Sequence, residues 1–561
     1  MWFIGGRVFT GEGDRPQPLA VRFVGDRIDQ VCLDGTQPPP DPGEDVVDLA
    51  GATVLPGLLD VHTHPAFMSE LVDAVSLLPP EVDSIESLVA RLRSSGAGSL
   101  PERPNRLAVD ADFPPRSLAP HSTRQSSPRR SPGRSSMWIA GYGFDESGYP
   151  EGRQPTRHDL DRVSATRPVF ARRCDGHTAV CNTVALELAG ITAETPDPPG
   201  AAYGRDASGM QDGRLIEVAA VERVHGLIPV PDEKERVTRI ARLARHFAER
   251  GLVGLGDLFA TMVPDPLRTF RAAARLGPFP QVGLYLGWEH IKADPPTLTD
   301  DDRTGRIHIA GCKLLMDGAY SNRTAWTHDP YPDSCDHGIP TTTVEELRAA
   351  GAWARSNGVQ VAVHAMGDAA LDAVIDTFAD EDPWLDDVPS VRLEHATLFS
   401  PERIARVGAA RMRFAVVSHT IFLFAEYGSY ESNLSPAQFA IAYPIRSFHE
   451  GLRATALSSD SPATAWEAAD DVFVSVQAAV ERRSHTGADI GQSEAVSVAQ
   501  ALELYTSRAA TCMRLPGLGR IAEGAEASLV VLDRDIFAVP PEQLAQTRVV
   551  QTWMAGSKVS G

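Results

Sequence analysis

Seven short apolar runs, separated by stretches with helical signals, succeed one another through the chain. They are GLVGLGDLF (251–259), QVGLYLG (281–287), IAGCKLLMDG (309–318), VQVAVHAMGD (359–368), SVRLEHAT (390–397), RFAVVSHT (413–420) and LRATALSSD (452–460). An earlier run, VLPGLLDVHTHP (54–65), has the same character. Strands buried on both faces read this way, and strands that alternate with helices must pair in parallel through crossovers. The pattern predicts an α/β fold, a (β/α)8 TIM-like barrel.

The helices between the runs carry their own signals. In EKERVTRIARLARHFAERG (233–251), Val237, Ile240, Ala244 and Phe247 share one stripe, the arginines fall largely outside it, and Gly251 is placed to end the helix. Thr343 with Glu346 and Ser497 with Gln500 have capping-box spacing, so helices are expected to start directly after Thr343 and Ser497. At the N-terminus, AVRFVGDRIDQVC (20–32) alternates in strand fashion about a Gly25–Asp26 turn. GRIAEGAEASLVVLDRD (519–535) and VVQTWMAGSKV (549–559), with a Gly556–Ser557 turn, repeat the pattern at the other end. Both termini are expected to build one small β-sandwich domain from residues 1–55 and 515–561, leaving 56–514 to the barrel and its insertions. One insertion, 101–136, is rich in Pro, Ser and Arg with little apolar periodicity, and is expected to be disordered.

The 561-residue chain has 74 acidic against 53 basic side chains, a formal charge of −21, which opposes binding to nucleic acid or anionic membranes. No stretch approaches the roughly 18 apolar residues of a membrane span, and the start MWFIGGRVFTGEGD lacks the basic and apolar regions of a secretory leader. A cytoplasmic protein is expected. Its six cysteines are scattered without a CxxC pair, so neither a zinc ribbon nor a disulfide framework is indicated.

Chemistry concentrates where the strand-like runs end, the face on which a barrel of this type carries its catalytic groups. His62 and His64 are two residues apart in LLDVHTHP, so both imidazoles can converge on one ion. Lys313, His364, His395 and Asp460 fall at the ends of later runs. Singly, each has a bland reading: hydrogen-bonded core histidines, a lysine snorkelling to solvent, a turn-forming aspartate before Ser461 and Pro462. Together they supply the nitrogen and oxygen donors of a divalent transition metal in repeated positions.

These residues lie within motifs that resemble the amidohydrolase superfamily, in the branch called amidohydrolase family 3, which contains N-substituted formamide deformylases. The resemblance rests on PGLLDVHTHP, WIAGYGFDES, RRCDGHTAVCNTVALELAGI, GRLIEVA, CKLLMDGAYSNRTA, VAVHAMGDAALD, VRLEHAT and ALSSDSP, and spans nearly the whole chain. It implies that His62 and His64 bind a buried metal and His364 and His395 a second. Lys313, carboxylated on its amine to a carbamate, would bridge them, and Asp460 is also a ligand. One or two zinc ions are expected. Asp460 would act as general base toward a water made acidic by the metal, and His177 would polarise the substrate carbonyl as a second catalytic group. Gly176 and Asn182 lie in the His177 motif, and Asn182, Arg446 and His419 are candidate substrate contacts. His419 stands where the branch pattern often reads Gln-Pro. Asp317 and Arg323 are candidates to support the metal site from behind.

The function implied is metal-dependent hydrolysis of non-peptide carbon–nitrogen bonds, with N-formyl or N-acyl amines as the leading small-molecule substrates. Deamination or cyclic-amide opening by the same superfamily chemistry, and a non-catalytic scaffold or regulatory homologue, are the competing readings. The sequence allows a homodimer without specifying one.

Overall fold

The computed structural model describes residues 1–32, 41, 43–96, 137–174, 176, 178–198 and 201–561. The insertion expected at 101–136 lies outside the described residues. Each of the eight apolar runs contains a strand: Leu58–Thr63, Leu252–Asp257, Gln281–Gly287, Ile307–Leu315, Gln360–Ala365, Val391–His395, Phe414–Ser418 and Thr455–Leu457. They pair in this order, every neighbour parallel. The eighth strand returns to the first, because the Asp460 N–H donates to the His62 carbonyl at 2.9 Å and the His62 N–H to Ser458 Oγ at 3.1 Å. This is the nearly closed barrel that the alternation predicts.

Burial explains the apolar runs. All six residues of both the first and second strands are buried, so neither face could carry the polar half of an alternating strand. Leu59, Val61, Tyr285, Ala362, Val417 and Ala456 pack in one core cluster. Each fully buried large apolar side chain there contributes roughly 1.5–3 kcal/mol relative to exposure. Gly256 is required by close approach: a Cβ at that position would sit 2.2 Å from the Val61 carbonyl oxygen of the strand that carries His62.

The capping boxes fall where expected. Thr343 and Ser497 each accept from the backbone N–H three residues on, and Glu346 and Gln500 return the bond. The second helix is shorter than its periodicity suggests, ending at Glu503, and a separate turn of helix follows at Ala509–Cys512. The helix Glu233–Glu249 buries Ile240, Leu243, Ala244 and Phe247, and the chain leaves it through Gly251 at φ +79°.

Strands from the two ends of the chain join one connected eight-stranded sheet. Its order is Ser557–Ser560, Val549–Met554, Leu529–Leu532, Thr53–Pro56, Trp2–Val8, Gln17–Val24 and Arg27–Cys32, with Val46–Asp48 also paired to Trp2–Val8. Phe3 anchors its core, 4.6 Å from Phe23 and 4.9 Å from Trp553 between ring centroids. The Gly25–Asp26 hairpin forms as expected, with Val24 opposite Arg27. The last hairpin is one residue out of the expected place. Met554 pairs with Ser557, so Ala555 and Gly556, at φ +48° and +79°, make the turn.

The chain divides into two compact units, residues 1–69 with 236–561, and residues 70–235. The second holds a six-stranded sheet in the order Ala202–Arg205, Gln211–Ile216, Thr178–Cys181, Val169–Arg173, Ile139–Phe144 and Val75–Ser76. Its own cores include Leu77, Leu88, Phe144 and Val169 on one side and Phe170, Leu186, Leu215 and Val221 on the other. The sequence gives this unit no linker, and its boundary at 235/236 falls in the first turns of a helix. Among the described residues no helix is long and apolar enough to cross a membrane.

The fourth strand buries His308 five residues before Lys313, with its Nδ1 3.2 Å from the Gly305 carbonyl. Burial pushes this imidazole down to about 4 from 6.5. The unfolded chain therefore takes up the proton first, and stability from this group falls as pH drops from about 6.5 to about 4 and changes no further below. His308→Gln should flatten that part of the acid limb in urea unfolding. An acid limb identical to that of the native chain would contradict it.

Candidate metal centre

The C-terminal ends of the barrel strands gather seven of the predicted residues, the six expected ligands and the expected substrate contact His419. His62 lies in the first strand and His64 just beyond it, their rings 5.4 Å apart between centroids. Lys313 lies in the fourth strand, His364 in the fifth, and His395 ends the sixth. His419 follows the seventh strand and Asp460 the eighth. The His395 ring is 4.3 Å from that of His364, 4.9 Å from that of His62 and 4.8 Å from that of His419.

Each of three imidazoles has one nitrogen anchored to an oxygen acceptor. His62 Nδ1 is 2.6 Å from Glu394 Oε2, His364 Nε2 is 3.0 Å from the Gly318 carbonyl, and His419 Nδ1 is 3.0 Å from the Ser458 carbonyl. These oxygens accept, so the anchored nitrogens carry the hydrogens, and the other nitrogens of His364 and His419 keep lone pairs. That is how proteins prepare a histidine for a metal. Burial pushes His364 and His419 down to about 3, and holds His395 well below its ordinary value. All three are therefore neutral near pH 7.

The anchor of His62 is itself clamped. Arg392 donates from Nε to Glu394 Oε1 at 2.6 Å and from Nη2 to Oε2 at 3.1 Å, and both side chains are fully buried. Burial alone would raise the Glu394 carboxyl; the Arg392 guanidinium, with His62, overrides it and keeps it ionised. Arg392 also donates to Tyr285 Oη and the Val61 carbonyl, both at 2.8 Å.

Asp460 Oδ1 lies 2.8 Å from His64 Nε2 and 3.1 Å from His62 Nε2. Burial works against its charge, but the two imidazoles hold its carboxyl well below the usual range. Its backbone sits at φ +53°. Lys313 is 2 % exposed, and burial lowers its amine to about 8 against the opposing pull of the Glu394 and Asp460 charges. A substantial neutral fraction near pH 7 to 8 is the state that could react with carbon dioxide.

Two donor groups could each hold an ion: His62, His395 and His419, and His62, His64 and Asp460, in each of which one ligand atom per residue lies within 4.8 Å of the others. The donor set fits a divalent metal. His395 Nδ1 and His419 Nε2 are buried without a hydrogen-bond partner among the described residues, and His62 Nε2 faces the Asp460 carboxylate at 3.1 Å, an arrangement that a cation between these donors would stabilise.

Asp317 lies directly behind His364. It accepts backbone N–H groups of Trp326, Met366 and Gly367 at 2.7–3.0 Å, its Oδ1 is 3.5 Å from His364 Nε2, and burial raises its carboxyl to about 7. Arg323 does not share this position. Its Nε donates to Asn433 Oδ1 at 2.7 Å, and the residue is exposed at φ +56°. Arg446 is a surface residue as well, paired with Glu450 at 3.2 Å and bonded to the Ser493 carbonyl at 3.2 Å. Asn182 caps a helix: its carbonyl accepts from Val169 and Ala185, and its amide donates to the Ser164 and Arg167 carbonyls. All four hydrogen-bonding positions are filled, leaving none for a substrate. His177 lies outside the described residues. His419 is fully buried beside the donors, not in an open pocket.

Sequence reading missed Arg392 and Glu394. Two opposite charges two residues apart in the buried run VRLEH were the available signal, since a charge in such a strand needs a partner. It also missed Asp60, which accepts from Ser459 N–H and Oγ and whose carboxyl burial raises to about 7. Asp257, raised to about 6 by burial, accepts the Ala66 N–H at 2.8 Å just past His64.

A barrel with these donors at the strand ends is the architecture of metal-dependent hydrolases, and comparison with known proteins agrees. Residues 45–559 match the amidohydrolase family, and the chain belongs to that family. It is 30% identical over 430 residues to YtcJ of Bacillus subtilis, named as an amidohydrolase, covering 75% of this chain and 79% of that one. It is 25% identical over 529 residues to the N-substituted formamide deformylase of Arthrobacter pascens, covering 92% and 90% of the two chains. The crystal structure of an uncharacterized metal-dependent hydrolase from Pyrococcus horikoshii shares the fold, with a TM-score of 0.70 at 24% identity over 96% of this chain and 99% of that one.

Glu394→Gln replaces the charged anchor of His62 by a neutral one. Competition with a chromophoric chelator should show zinc affinity about 10- to 100-fold weaker. An unchanged affinity would remove Glu394 from the account.

Proposed function

We propose that this chain is a metal-dependent hydrolase of carbon–nitrogen bonds outside peptides, acting on N-formyl or N-acyl amines. The observation that carries the reading is the set of imidazoles gathered at the barrel's C-terminal end, with His62 and His419 oriented by fixed acceptors and His62 and His64 facing the Asp460 carboxylate. The likeness to an N-substituted formamide deformylase over 92% of this chain supports the substrate class. Nitrogen-rich donors of this kind suit zinc.

A zinc ion bound here supplies an acidified water and polarises the substrate carbonyl. His62 and His64 would hold one ion from the first strand, and His364 and His395 a second from the ends of the fifth and sixth. Lys313, in its neutral form, is placed to become a carbamate and add an anionic donor. Asp460 does the proton work. Its carboxylate is kept ionised beside two imidazoles, so it can accept the proton of the attacking water and return it to the leaving nitrogen, with formate or another carboxylic acid and an amine as products.

The purified chain, assayed on a panel of N-substituted formamides and N-acyl amines, should lose turnover on chelation and regain it with zinc. Asp460→Asn should lower kcat by about 10²- to 10⁴-fold. Full turnover after complete removal of metal would overturn the reading, as would a panel in which only cyclic amides are opened.

A further inference from the structure

His419 lies beside these donors and is not a ligand in the family resemblance, yet its surroundings prepare it as one. It follows the seventh strand, which supplies no donor in the six-residue set His62, His64, Lys313, His364, His395 and Asp460. The side chain is fully buried. Its Nδ1 donates to the Ser458 carbonyl, so Nε2 carries the lone pair, and that nitrogen has no hydrogen-bond partner among the described residues.

The ring is fixed as well as anchored. It stacks on Phe422 at 5.0 Å with an interplanar angle of 18°, and His395 stacks on the same phenyl ring at 5.8 Å and 22°. Its centroid is 4.9 Å from that of His62 and 4.8 Å from that of His395. One nitrogen of each of these three rings lies within 4.8 Å of the others. An anion would need N–H donors pointing inward, whereas His62 and His419 both spend their N–H groups outward, on Glu394 and Ser458. The inward lone pair of His419 Nε2, the partnerless His395 Nδ1 and the Asp460 carboxylate 3.1 Å from His62 Nε2 together make a buried space that suits a cation of the zinc class.

We propose that His419 is a metal ligand and forms, with His62 and His395, a three-imidazole set that holds the inner ion. Three histidine donors leave the fourth position of a tetrahedral site open to water. His64 and Asp460, grouped with the same His62, then lie on the adjoining side. The inference rests on the metal-dependent reading above and changes which residues carry the metal.

The test uses the full-length chain, stripped with a chelator and reloaded with one equivalent of zinc or cobalt(II). His419→Gln, His419→Ala and His62→Gln are compared with the native chain by chelator competition and by the visible spectrum of the cobalt form. Removal of an anchoring partner alone costs about 10- to 100-fold in affinity, so loss of a ligand should cost both His419 variants about 100-fold or more and weaken and shift the cobalt bands. Native affinity and an unaltered cobalt spectrum in the His419 variants, with metal lost from His62→Gln, would overturn the inference and leave the metal reading standing. A native chain that binds neither metal would overturn both. Circular dichroism of the metal-free forms checks folding. Should the variants fail to fold, zinc-edge X-ray absorption of the native chain decides: three imidazoles are expected, and two or fewer would overturn the proposal.

Discussion

The centre depends on a buried chain of charge running from Arg392 through Glu394 to His62. Three ionisable side chains taken from water in a barrel core would be costly, and they are tolerable because both Glu394 oxygens accept from Arg392 and one of them also from His62 Nδ1. The guanidinium fork fixes the carboxylate, the carboxylate fixes the imidazole tautomer, and the imidazole then presents Nε2 inward. His62 belongs to both donor groups at this end of the barrel, so orienting it orients both. Breaking the pair by removing one partner would leave an uncompensated charge, a loss of about 3–5 kcal/mol in buried pairs generally.

The backbone contributes through departures from ideal geometry. His395 and Ala396 leave the sixth strand at φ +68° and +49°, and Asp460 follows the eighth at +53°. None is glycine, and positive φ costs such residues energy that the surrounding contacts must offset. The reward is placement: Asp460 donates its N–H to the His62 carbonyl while its carboxylate reaches both imidazoles of the first-strand pair. The ends of the first and eighth strands are thus joined by backbone and side chain together.

Much of this was legible in the sequence because parallel barrel strands are buried on both faces and read as continuous apolar runs. All eight strands follow from that pattern, and the helix starts after Thr343 and Ser497 follow from their capping-box spacing. The donors were visible because they end the runs. Glu394 was not, since it sits one residue inside His395 and the positive φ of His395 breaks the alternation by which faces are assigned. Asn182 and Arg446 were drawn into the site by motif, and spacing cannot reveal that an amide is already saturated or that a helix turns its arginine outward. His419 was seen at its strand end, but its tautomer depends on the Ser458 carbonyl, contributed by a strand distant in sequence. The edges of the unit at 70–235 left no compositional mark because they fall within the helices Pro65–Leu71 and Glu233–Glu249.

The central claim is that His62, oriented by Glu394, presents Nε2 to a metal at the C-terminal end of the barrel. Zinc-edge anomalous diffraction from crystals of the zinc-loaded chain tests it most directly. The account predicts an anomalous peak about 2.0–2.1 Å from His62 Nε2, with Nδ1 still bonded to Glu394. A peak confined to other residues, or none at this end of the barrel, would contradict it.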